Sequence, residues 1–160
     1  MWRWVVGPLR IFVRLLRAGG TPNGLALGFA LGMMLGLLPK GNLTALGLSL
    51  LVLALEVNLT AVAAATLLFS WVAVATDPLA HRLGWAILTL PSCQSAFAKL
   101  YELPLVPWTA LNNTVVLGSL VLSLVLFYPV YRLSWLGFTG YQTWIGQIRH
   151  KYRIGQPSPI

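Results

Sequence analysis

Side chains able to do chemistry are scarce in this 160-residue chain, which holds three acids (Glu56, Asp77, Glu102), two histidines and one cysteine. His81 and His150 stand 69 positions apart and Cys93 is alone. That inventory offers no metal-ligand spacing and no nucleophile–base pair, so no catalytic residue, metal or cofactor is expected. No glycine-rich phosphate loop follows a strand either, because the glycines lie inside apolar helical sequence. What remains is a candidate polar site built from Lys40, Asp77, Glu56 and Asn58. Lys40 sits in the connector Pro39-Lys40-Gly41-Asn42, where an unpaired ammonium inside hydrocarbon costs about 2.5–3.5 kcal/mol on insertion scales. Glu56 is a poor partner, since sixteen helical residues place it about 24 Å away. Asp77 returns to the level of the connector after about 28 Å of helix from Asn58. The expectation is that Lys40 and Asp77 share a polar site on the non-cytoplasmic side, open to a lipid phosphate, with Glu56 and Asn58 at the cytoplasmic boundary. Against it stand a Lys40 that snorkels to headgroups and an Asp77-Pro78 that merely ends a helix.

The strongest pattern is a glycine ladder, Gly24, Gly28, Gly32 and Gly36, at strict four-residue spacing. Successive rungs rotate by about 40° on a helix, which makes a stripe that lets another helix approach closely. Helix packing within a hairpin or between chains is the expected role, and a smooth wall along a lipid or substrate path is the alternative. Gly47 extends small-residue packing to a second arm.

The elements that must position these residues follow from composition. Hydrophobic residues make up 58% and charged residues 9%, and mean hydropathy is +0.78, against about 25% charged in a soluble domain. Too few charges remain to cover a water-facing surface, and a disordered chain is excluded because such chains are poor in apolar residues. The fold class expected is all-α and membrane-integral: an amphipathic N-terminal helix, a Gly-rich helical hairpin and two clear spans. Residues 1–18 read as a basic surface helix with Arg3, Arg10, Arg14 and Arg17 in one sector, facing anionic headgroups. The membrane domain covers 22–132, with the hairpin over 25–56, a span over 59–76 ending at Asp77-Pro78, an interfacial segment over 77–107 and a span over 108–131. Residues 133–160 form an aromatic and basic cytoplasmic tail, frayed from Gly155. Each hairpin arm is too short to cross a hydrocarbon core of about 30 Å comfortably, so the pair is re-entrant or barely crossing.

The net charge of +8 is a statement about orientation. Basic residues cluster in the first 17 positions and at Arg149, Lys151 and Arg153, flanking apolar runs as the positive-inside bias requires. Nucleic acid is not expected as a partner. Two full spans or four return the chain to its starting side, so both termini face the cytoplasm of an inner membrane. The lone cysteine permits no intrachain disulfide.

Several motifs resemble one family: Leu25-Ala26-Leu27-Gly28-Phe29-Ala30-Leu31-Gly32, Gly36-Leu37-Leu38-Pro39, Val57-Asn58-Leu59, Asp77-Pro78-Leu79 and Asn112-Asn113-Thr114-Val115-Val116-Leu117-Gly118-Ser119, in that order. Over residues 22–131 the chain resembles the small bacterial inner-membrane proteins related to the domain of unknown function 2062. The resemblance implies no activity. The function expected is that of a non-catalytic packing or assembly subunit of an envelope complex, partnered by the bilayer and by a second copy or another envelope protein. A small transporter or lipid-translocation component using the hairpin is the alternative.

Overall fold

The computed structural model describes residues 20–154. The basic helix expected over 1–18, with Arg3, Arg10, Arg14 and Arg17, and the end of the chain from Gly155 lie outside the described residues. The fold is all-α. Helices α1 (Pro22–Leu37), α2 (Leu43–Ala54), α3 (Leu59–Thr89), α4 (Pro91–Tyr101) and α5 (Thr114–Ile154) follow one another, with a 3-10 turn at Val106–Thr109.

Local sequence explains each boundary. Thr21 caps α1 by accepting from the Gly24 amide at 3.1 Å, and Pro22 occupies the first turn, where a missing N–H costs nothing. Leu38 is extended (φ −70°, ψ 134°) because Pro39 follows it, and that ends α1. Gly41 then takes φ +91°, a left-handed conformation suited to glycine. Asn42 caps α2 through the Ala45 amide at 2.8 Å, and Asn58 caps α3 through Ala61 at 3.0 Å. Pro91 starts α4 after the extended Leu90, while Asn113 Oδ1 accepts from the Val115 and Val116 amides at the start of α5.

Two boundaries differ from those read in the sequence. Helix α3 does not stop at Asp77-Pro78 but continues to Thr89 with Pro78 inside it. An interior proline removes one helical hydrogen bond and costs about 3 kcal/mol. Here Ala80 and Gly84, both buried directly after it, lock the continuation against α5. The second long helix starts at Thr114 rather than Trp108, and runs past Pro129 to Ile154 without a break. Trp108 lies in the 3-10 turn, which left-handed Leu105 (φ 74°) and Ala110 (φ 55°) separate from both neighbouring helices. The aromatic stretch after Arg132 is therefore the continuation of one helix.

Packing order comes from residue contacts. Helix α1 runs parallel to α3, with Gly28 beside Asn58 and Ala61 and Gly36 beside Thr66 and Phe69. Helix α5 runs antiparallel to both: Gly118 meets Ala80 and Gly84 near the far end of α3, while Phe138 packs with Leu25 and Ala61 near its start. Two apolar clusters fill this three-helix core. One holds Leu25, Ala26, Ala61, Ala64 and Phe138; the other centres on Leu31, Met33, Met34, Leu37 and Val62, with Val52 of α2. Phe29 joins them edge-on, 5.9 Å from Phe69 and 6.4 Å from Phe138.

Two helices, α3 and α5, are long and apolar enough to cross a membrane. Only 22% and 28% of their most apolar windows are buried, so most of each apolar stretch lies outside the helix-packing core. Trp71, Val74, Leu124, Val125 and Leu133 all point outward. An apolar surface of that extent calls for an apolar solvent. Helix α2 is the least packed of the two short apolar helices, with Val52 its one buried residue.

Open glycines in helices supply a clean expectation. A Cβ at Gly47 or Gly140 would meet no atom within 4 Å, so Gly47→Ala and Gly140→Ala should each stabilise the fold by about 0.5–1 kcal/mol through helix propensity alone. Unfolding by SDS titration in mixed micelles reads the difference, and a loss of stability at either site would mean the space is filled.

Candidate functional site

The glycine ladder and the hairpin turn form one continuous structure. A Cβ at Gly28 would stand 2.7 Å from the Asn58 carbonyl oxygen, one at Gly32 would overlap the Val62 carbonyl oxygen, and one at Gly36 would stand 2.6 Å from Phe69 Cβ. The rungs thus meet α3, where the expectation placed them within the hairpin or between chains. Parallel packing explains it: each four-residue step on α1 meets a four-residue step on α3, through Asn58, Val62 and Thr66 and, beside them, Ala61, Ala65 and Phe69. Gly24 stands apart. Its added Cβ would meet only Thr21, and its carbonyl accepts from the Asn58 amide at 3.4 Å.

Hydroxyl groups extend the contact upward. Thr66 Oγ1 donates to the Gly32 carbonyl at 3.2 Å, and Ser70 Oγ to the Thr66 carbonyl at 2.7 Å. Lys40 then occupies the next position of the ladder, four residues beyond Gly36, although the helix has ended. Its Nζ donates to the Gly36 carbonyl at 2.7 Å and to Ser70 Oγ at 3.1 Å. The ammonium therefore sits on a carbonyl of the last turn of α1, at the negative end of the helix dipole.

Asp77 lies seven residues beyond Ser70 on the same face of α3, about 10 Å along the axis. No ion pair joins it to Lys40 among the described residues, and it accepts no hydrogen bond from them. Glu56 is exposed in the link between α2 and α3. Asn58 sits at the opposite end of the bundle from Lys40, as cap of α3 and neighbour of Gly20, Gly24 and Gly28. The four polar residues thus divide: Lys40 and Asp77 share one region, Glu56 and Asn58 another. Asn58→Ala removes both the cap and a brace beside α1, and should cost about 1 kcal/mol by the same SDS titration.

A second close approach escaped the sequence reading. A Cβ at Gly84 would overlap the Thr114 carbonyl oxygen, and one at Gly118 the Ala80 carbonyl oxygen. The signal was present as Ala80/Gly84 and Thr114/Gly118, each a small pair at spacing four. Nearby, His81 Nδ1 and Thr114 Oγ1 share a 2.7 Å hydrogen bond. Thr44 Oγ1 donates to the Thr109 carbonyl at 2.8 Å, tying the start of α2 to the 3-10 turn. At the other end Tyr131 donates to Asn23 Oδ1, and Gln142 Nε2 donates to the Gly20 carbonyl at 3.0 Å. Among the described residues no group of His, Cys, Asp and Glu is placed to hold a metal ion.

A family model described as "Uncharacterized protein conserved in bacteria (DUF2062)" matches residues 9–145. An "Uncharacterized protein" of Treponema pallidum (strain Nichols) is 31% identical over 132 residues, which is 82% of this chain and 82% of that protein. No solved structure matches the chain. With the family model spanning most of its length and its motifs in order, the chain belongs to the DUF2062 family.

Proposed function

We propose that the protein is a non-catalytic, multi-pass component of the bacterial inner membrane, a packing or assembly subunit of an envelope complex, with both termini in the cytoplasm. The outward apolar faces of α3 and α5 support the membrane placement, and the basic residues near both chain ends support the orientation. The hairpin is re-entrant in this reading. Its tip reaches the level of Ser70, about 17 Å along α3, and its two ends meet where the Asn58 amide bonds the Gly24 carbonyl. The polar side chains around it serve as helix caps and interhelical hydrogen bonds, which supports a structural role.

The observation that carries the assembly role is helix α2. It is about 18 Å long, and it exposes Leu46, Leu50, Leu51 and Leu53 beside the open position at Gly47. Such a face admits a second transmembrane helix at close range. A photo-crosslinking residue at Leu50 should give a discrete protein adduct in cells, while one at Leu124 on α5 gives none; lipid adducts alone at both positions would defeat the proposal. A lipid-translocation role is the second reading, favoured by a charged hairpin tip that stops partway along α3.

A further inference from the structure

Lys40 and Asp77 are opposite charges on one side of α3, about 10 Å apart along its axis, that do not neutralise each other by contact. Lys40 Nζ has two neutral acceptors, the Gly36 carbonyl and Ser70 Oγ, and an ammonium carries three donors. One N–H is left over. Asp77 is half-buried on the same face of α3 and accepts no hydrogen bond from the described residues. Lys40 itself is exposed, so its side chain can be reached from outside the bundle. A lone anion brought to Lys40 would meet repulsion from Asp77, and a lone cation at Asp77 would meet Lys40. A ligand carrying both charges a short link apart satisfies both poles.

We propose that Lys40 and Asp77 are the two poles of a binding site for a zwitterionic phosphoamine group, Lys40 donating to the phosphate and Asp77 accepting from the amine. The direction of the site agrees with a lipid source. In the re-entrant topology Lys40 is the deeper pole and Asp77 the shallower, so a phosphoethanolamine headgroup enters the site phosphate first, drawn below the plane of the non-cytoplasmic leaflet, with its amine left at Asp77. Ser70 positions Lys40 and takes no part in binding. This inference rests on the membrane placement proposed above and not on the assembly role.

Native mass spectrometry of the full chain, delipidated in detergent and offered equal amounts of phosphatidylethanolamine and phosphatidylglycerol with the same acyl chains, tests it. The wild type should favour phosphatidylethanolamine by about tenfold, the worth of one charge-assisted hydrogen bond. Lys40→Arg should keep that order and the affinity, while Lys40→Gln should weaken binding of both lipids, since each presents a phosphate, and leave phosphatidylethanolamine preferred. Asp77→Asn should reverse it, because the amine loses its acceptor and the anionic lipid loses its repulsion. Ser70→Ala, which keeps both charges, should preserve the order. Only variants matching the wild type in gel filtration and helicity are scored, and the Arg, Asn and Ala variants suffice if Lys40→Gln does not fold. Equal binding of the two lipids by the wild type, or an unchanged ratio in Asp77→Asn, overturns the proposal. Excess soluble glycerophosphoethanolamine separates the sources: displacement of the lipid shows that the free phosphoamine suffices, and retention with the same lipid preference assigns the site to a phospholipid. The measurement uses purified chain, so it can fail while the crosslink at Leu50 succeeds, and the reverse.

Discussion

Gly32→Leu should separate α1 from α3 and cost about 3 kcal/mol or more. A side chain there meets the Val62 carbonyl oxygen, the Val62 Cα and Ala65 Cβ. Two of these belong to the backbone of α3 and cannot rotate aside. The helices must part, and the damage spreads because Thr66 loses the Gly32 carbonyl and Lys40 loses its register with Ser70. Both apolar clusters have members on α1, so both open. SDS titration against the wild type gives the stability loss. Gly47→Leu, at an open position on α2, is the control and should lose no stability, since helix propensity favours leucine over glycine there. Equal effects at the two sites would show that the ladder does not pack as described.

Gly118→Ala should be nearly as damaging even though it adds one methyl group. The added carbon would overlap the Ala80 carbonyl oxygen and stand 2.9 Å from the Gly84 amide nitrogen. Gly84→Ala drives the same two backbones apart from the other side, against Thr114. Each change should cost about 2–3 kcal/mol. The double substitution should cost clearly less than both together, because one separation of the helices relieves both clashes and neighbours in a shared contact are not additive. SDS titration of the four-member cycle reads the coupling. Strict additivity would mean that the two glycines do not face one crossing. Toward the end of α3 this crossing, with the His81–Thr114 hydrogen bond beside it, joins α3 to α5.

The membrane-integral, all-α character was legible because apolar content and scarce charge are properties of the chain as a whole. Capping was legible at Asp77-Pro78 only as a stop, and that reading failed. Proline disfavours a helix locally, but the contact of Ala80 and Gly84 with Gly118 lies 34 to 38 residues away in sequence, and no local rule contains it. Trp108 misled for the opposite reason. It reads as the edge of an apolar run, yet Pro104, Pro107 and the left-handed residues Leu105 and Ala110 keep the backbone out of a helix until Asn113 can cap one. Thr66 and Ser70 drew no attention because hydroxyl residues in apolar helices look alike until a partner carbonyl is placed opposite them.

By itself the sequence determined the apolar character of the helices and the shape of the contact surfaces: short arms flanking Pro39-Lys40-Gly41-Asn42, and a smooth stripe from Gly24 to Gly36. Periodicity carries this, since spacing along a helix fixes which side chains share a face. Tertiary structure alone decided what the stripe meets. A glycine face specifies close approach without specifying a neighbour, because it offers no side chain for recognition. The choice of α3, in parallel register, came from the matching four-residue steps of Asn58, Val62 and Thr66 and from the Gly24–Asn58 and Lys40–Ser70 hydrogen bonds at its two ends. The same register put Lys40 beside Ser70 and left Asp77 seven residues further along the helix, with no ion pair between the two charges among the described residues.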